Sequence, residues 1–148
     1  MTSNRRTVQA LGEHPFELLF GALAAVAGTF AVLGVVGSAS VNALLPMPVV
    51  RAWGALQLLA GVLMVTGILL PYVRSRALVL GWRIERAGLW PLAATAATYA
   101  VVVLAYSGTR ALYPAGVYLA IAVACLARAV AVTRRERELR QVGGRDGG

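Results

Sequence analysis

Residues 18–37 read LLFGALAAVAGTFAVLGVVG, an apolar run without a single charge. An α-helix rises about 1.5 Å per residue, so about 20 such residues match the ~30 Å hydrocarbon layer of a bilayer. The run is rich in Ala, Val and Gly and shows no strict alternation of apolar and polar positions, which favours a helix over a strand. It therefore reads as a membrane span, and three further segments repeat the pattern. Residues 52–73 and 87–109 are uncharged, and residues 111–133 carry one charge, Arg128. The expected fold is an all-α membrane protein with four transmembrane helices in an antiparallel bundle. Residues 1–15 would form a cytoplasmic N-terminal segment, 16–133 the membrane domain and 134–148 a basic cytoplasmic tail.

Composition agrees. The 148 residues are 59% hydrophobic and 14% charged, against about 25% charged in a soluble domain. Mean hydropathy is +0.72. Pro15 suits the first turn of a helix, and Glu17 follows it at the positive end of the helix dipole. Pro46 and Pro48 separate the first two runs, Pro71 closes the second, and Pro91 and Pro114 fall in the expected first turns of the third and fourth. Trp53, Tyr72, Trp82, Trp90, Tyr106 and Tyr113 lie near the predicted boundaries, as interfacial aromatics do.

All 14 basic residues are Arg. With four spans, 12 of them fall on one side: Arg5 and Arg6 before the first span, Arg74, Arg76, Arg83 and Arg86 in the middle loop, and Arg128, Arg134, Arg135, Arg137, Arg140 and Arg145 toward the C-terminus. Only Arg51 and Arg110 fall on the other. Positive loops stay cytoplasmic, which places both termini inside a bacterial inner membrane and makes Arg74, Arg76, Arg83, Arg86, Arg134, Arg135, Arg137 and Arg140 the residues that set topology. The competing reading, a leader cleaved near 38–40, requires an apolar core of about 7–15 residues, and this run is longer.

Small residues recur at helical spacing: Gly21, Ala25 and Gly28 in the first span, Gly54 and Gly61 in the second, Ala93 and Ala97 in the third. They let helices approach closely in lipid, either within one bundle or between copies. Gln57, the most polar residue well inside a span, is expected to hydrogen-bond to Thr95, Thr98 or Tyr99. Arg128 is expected to snorkel to the headgroups, and Glu85 to join Arg83 and Arg86 in a solvated loop cluster. Glu13, His14 and Glu17 are too few for a metal site. The single cysteine, Cys125, reads as a small hydrophobe. No ordered nucleophile, base and orienting group is present, and no span carries a central carboxylate for proton-coupled transport. The expectation is no catalytic, cofactor-binding or metal-binding residue and no nucleic-acid partner. The bilayer, further copies of the chain or another membrane protein are the expected partners.

The segments Glu13-His14-Pro15-Phe16-Glu17 and Glu85-Arg86-Ala87-Gly88-Leu89-Trp90, with the Arg-rich stretch after Ala127-Arg128-Ala129, resemble small four-span membrane proteins of actinobacteria and their phages. The exclusive use of Arg over Lys fits such a G+C-rich source. Some phage proteins of this shape are proposed holins, and the resemblance implies action through helix packing and oligomerisation. Residues 54–67 also resemble the second span of DoxX-type proteins, which implies a redox-associated role. An accessory or scaffold subunit of a membrane complex is the alternative. No functional residue transfers from either resemblance.

Overall fold

A computed structural model describes residue 12 and residues 14–35, 43–74 and 77–145, without the side chains of 135 and 138–145. Every regular element among them is helical: α1 (Pro15–Leu33), α2 (Met47–Val73), α3 (Leu78–Ser107), a short 3-10 turn (Gly108–Ala111) and α4 (Leu112–Arg145). Three helical stretches are long and apolar enough to cross a membrane: Pro15–Leu33, Met47–Val73 and Leu78–Arg134, the last running through the 3-10 turn.

Local chemistry explains the ends. Pro15 occupies the first turn of α1, and Gly34 closes the helix in the left-handed region at φ 69°. Its N–H donates to Ala31 O, and that of Val35 donates to Phe30 O, the pattern that satisfies orphan carbonyls at a helix end. Gly108, at φ 57° and ψ −141°, breaks the helical path between α3 and α4.

Several expectations about helix limits change: α1 closes at Gly34 rather than at 37, α2 begins at Met47 rather than at 52, and Pro71, expected to close the second run, lies inside α2. Pro91, expected in a first turn, lies inside α3. Segment 74–86, expected to be a loop with a short interfacial helix, is helical from Leu78 onward. The reason is packing. Gly81 and Gly88 bring this stretch against α2, where a Cβ on Gly81 would lie 2.8 Å from Gly67 O and one on Gly88 2.7 Å from Ala60 O. The helix supplies its own backbone hydrogen bonds, so the Arg and Glu side chains do not interrupt it.

The small residues of α1 and α2 form a second close seam. A Cβ on Gly28 would sit 2.6 Å from Gly54 O, one on Gly21 2.9 Å from Val65 Cγ2, and one on Gly61 would collide with Gly21 O. Gly21, Gly28, Gly54 and Gly61 are all buried, and Ala25 is half-buried. On α3, Ala93 is buried and joins the core of Ala60, Met64, Ile68, Leu89, Leu92, Cys125 and Ala129, while Ala97 is half-buried. Packing runs in chain order, α1 on α2, α2 on α3 and α3 on α4, but α1 and α4 are not packed against each other along their backbones.

Candidate functional site

The unpacked seam between α1 and α4 has two different ends. At one, side chains bridge it with charge. Arg128 of α4 donates from Nε to Glu85 Oε1 of α3 at 2.8 Å, and its Nη1 lies 3.9 Å from Glu17 Oε1 of α1. Its Nη2 lies 3.5 Å from His14 Nδ1. The same His14 Nδ1 lies 3.7 Å from Glu17 Oε1, so the ring sits between the guanidinium and the carboxylate. The Glu85 side chain is only 3% exposed and that of Arg128 is 22% exposed.

About two turns further along α4, Glu136 gathers two more guanidinium groups. Arg83 Nε donates to its Oε1 at 3.0 Å, and Arg86 Nη1 approaches its Oε2 at 3.5 Å. Arg86 also reaches Thr133 Oγ1 at 3.4 Å, while that hydroxyl donates back to Ala129 O at 2.8 Å. Arg128 thus ties α1, α3 and α4 together, and Glu136 adds a second tie between α3 and α4. Arg128 lies about 24 Å along α4 from its start, given 1.5 Å per residue, so the cluster falls toward one edge of a bilayer-sized layer. Low-dielectric surroundings strengthen such pairs and make an unpaired member costly.

At the other end the seam opens into a cavity of about 620 Å³ with helices α1 to α4 around it. Its lining includes Phe20 and Phe30 from α1, Trp53 and Gln57 from α2, Thr95 and Tyr99 from α3 and Tyr118 from α4. Three aromatic rings line up across helices. Trp53 stacks on Tyr99 with centroids 5.8 Å apart and 27° between planes, and Tyr99 meets Tyr118 at 4.2 Å and 43°. Thr95 is buried and satisfies its hydroxyl on Leu92 O at 3.0 Å. The indole Nε1 of Trp53 is enclosed and lacks a hydrogen-bond partner, alone in this among the described residues. No lining residue is ionisable as an acid or base other than the two phenols.

Several sequence expectations need correction. Glu85 is not part of a solvated loop cluster: it is buried on α3 beneath Arg128. Arg128 does not snorkel free, because carboxylates from two other helices hold its head. Trp53, expected near a span boundary, is half-buried and stacks on Tyr99 of α3. Gln57 lies near Thr95 and Tyr99 along the cavity but bonds to neither, and Thr98 is exposed. Among the topology residues, Arg74, Arg134 and Arg137 are exposed, whereas Arg83 and Arg86 are engaged by Glu136. Arg76 and the side chains of Arg135 and Arg140 lie outside the described residues. Reading α3 as helical back to Leu78 would have exposed the missed pair, since it places Glu85 a short way below the apolar run that begins at 87.

No family model matches the chain, and no curated protein or solved structure matches it either. What the fold defines is a class: an all-helical protein whose helices are long and apolar enough for a membrane.

Proposed function

We propose that the chain is an integral protein of a bacterial cytoplasmic membrane that crosses it four times, with both termini inside, and serves without catalysis as an accessory or scaffold subunit of a membrane complex. The observation that carries the topology is the contact of Arg128 with Glu85, 43 residues earlier in the chain. With the Gly108 break between them, that contact favours two antiparallel crossings within Leu78–Arg134 rather than one long span. The pairing of Gly21 with Gly61 and of Gly28 with Gly54 favours the same antiparallel arrangement for α1 and α2. The Arg count then favours a cytoplasmic position for the charged end.

The accessory role rests on how the polar and small residues are used. The close-packing glycines are spent inside the chain, and the buried charges are matched to one another. The outward faces are apolar, including Leu19, Leu23, Val26 and Leu33 on α1, each more than half exposed. Such faces meet lipid or another apolar surface. Purification in mild detergent, followed by mass spectrometry, should recover a stoichiometric membrane partner. Repeated recovery of the chain alone contradicts the accessory role.

The same exposed α1 face favours a second reading, self-association of a holin-like phage protein. Induced expression in a bacterium would then collapse the membrane potential at a defined time. Growth with an intact potential contradicts that reading. For topology, a cysteine placed at Thr109 should react with an impermeant reagent from outside, and one at Arg137 should not.

A further inference from the structure

The cavity between α1 and α4 combines an apolar wall with three polar groups that the protein itself leaves unused. Its volume of about 620 Å³ falls within the ~300–1,000 Å³ typical of small-molecule pockets. Leu23, Val26 and Phe30 on α1 and Val117 on α4 line it yet remain 43–54% exposed. It therefore opens sideways, through the seam that these helices leave unpacked. Thr95 in its wall already donates to Leu92 O. The Gln57 carboxamide and the hydroxyls of Tyr99 and Tyr118 make no hydrogen bond among the described residues. The Trp53 indole nitrogen is sealed from the surface and takes no part. Among the described residues it is alone in being both enclosed and without a partner, so the three other groups, all on half-buried residues, stay within reach of a ligand.

We infer that this cavity binds the glycerol head of a diacylglycerol, whose acyl chains leave through the sideways opening into the bilayer. The inference goes beyond the accessory role and rests on the four-crossing arrangement proposed above. Depth selects an uncharged head. At 1.5 Å per residue, Gln57 lies ~15 Å from the start of α2, Tyr99 ~12 Å from the end of α3 and Tyr118 ~9 Å from the start of α4. All three fall within a hydrocarbon layer ~30 Å thick. A phosphate carried to that depth would be stripped of water, and no guanidinium or imidazole lines the cavity to receive it. The polar groups, spread over three helices, select a glycerol diester. Diacylglycerol brings one hydroxyl and two ester carbonyls. The phenols can donate to the carbonyls, and the carboxamide can both donate to the hydroxyl and accept from it. A long-chain alcohol offers a single oxygen to the same three groups. No water competes for these bonds in hydrocarbon, so groups left unmet are costly and a ligand that meets them is favoured. Binding alone is inferred, with no bond made or broken.

The experiment uses the full chain in phosphatidylcholine nanodiscs, with a diacylglycerol carrying a photoactivatable diazirine on one acyl chain as the probe. Saturable labelling of α1 and α4 is expected, displaced by excess dioleoylglycerol. Dioleoyl phosphatidylglycerol and oleyl alcohol should displace it far less well. Gln57→Leu should weaken the apparent affinity roughly 3–10-fold, the effect of one hydrogen bond. Tyr99→Phe and Tyr118→Phe combined should weaken it further. These changes keep side-chain bulk and remove no internal hydrogen bond, so the thermal unfolding temperature in detergent should not move. Labelling that rises linearly with probe, or that ignores all three substitutions, overturns the inference. Equal displacement by phosphatidylglycerol or by oleyl alcohol does the same, because only an alkyl chain is then being read. Weaker labelling with a matching loss of stability would make the three groups structural and also overturn it. Cysteine accessibility at Thr109 and Arg137 reports the topology separately. A wrong pattern there sinks the four-crossing arrangement and the inference with it, whereas non-saturable labelling with that pattern intact sinks the inference alone.

Discussion

The two ends of the α1–α4 seam obey different rules. At the charged end, Arg128 and Glu136 on α4, Glu85, Arg83 and Arg86 on α3 and Glu17 on α1 leave little freedom in how the helices sit. Shifting α4 by one turn would move Arg128 about 5.4 Å from Glu85 and strand both charges in a low-dielectric setting. At the aromatic end there is no charge, and a gap the size of a small molecule persists beside the Trp53–Tyr99–Tyr118 stack. The comparison teaches that ion pairs can fix the register of a helix that its neighbour's backbone hardly touches. The apolar remainder of the seam is then free to stay hollow, because lipid or a ligand can fill it.

The sharpest way to break this comparison is to remove one charge from the bridged end. Glu85→Ala should destabilise the protein by about 3–5 kcal/mol, the range for orphaning a buried ion-pair partner. Thermal unfolding in detergent checks it, and a loss below that of the next variant would put the fixing of the seam elsewhere. Gly28→Ala tests the α1–α2 seam instead. Its new Cβ would lie 2.6 Å from Gly54 O, and overpacking of this kind costs about 1–3 kcal/mol. The same unfolding assay reads it, with the charged end left intact. Arg83→Ala should matter least. Its side chain is half exposed at 50%, and exposed pairs contribute about 0.2–1 kcal/mol. Raising the salt concentration should shrink even that difference.

Much of the helical character was legible in runs such as 18–37 and 52–73, because a bilayer demands length and apolarity, and both are written residue by residue. The helix start at Pro15 was legible for a similar reason, since a missing N–H has a position where it does no harm. The site was legible only in pieces. Arg128 stands out in the sequence as a lone charge in the fourth run, but hydropathy places its partner Glu85 in a loop. Charges at 83, 85 and 86 resemble an interfacial loop when read by hydropathy, and only the fit of Gly81 against Gly67 shows that α3 begins before them. Trp53 near a run boundary looks the same whether it faces headgroups or Tyr99. Sequence periodicity reports which residues share a face, not which neighbouring helix that face meets.

The account stands most directly on the coupling of Glu85 to Arg128, and a double-mutant cycle measures it. Unfolding free energies would be compared for the native chain, Glu85→Met, Arg128→Met and the double variant. The account predicts that each single change is strongly destabilising while the double variant recovers most of the loss, with a coupling of about 2–3 kcal/mol, at the upper end for residues in contact. Additive losses, with the double variant as unstable as the two single effects combined, would mean that Arg128 is held by something other than Glu85 and would contradict the account.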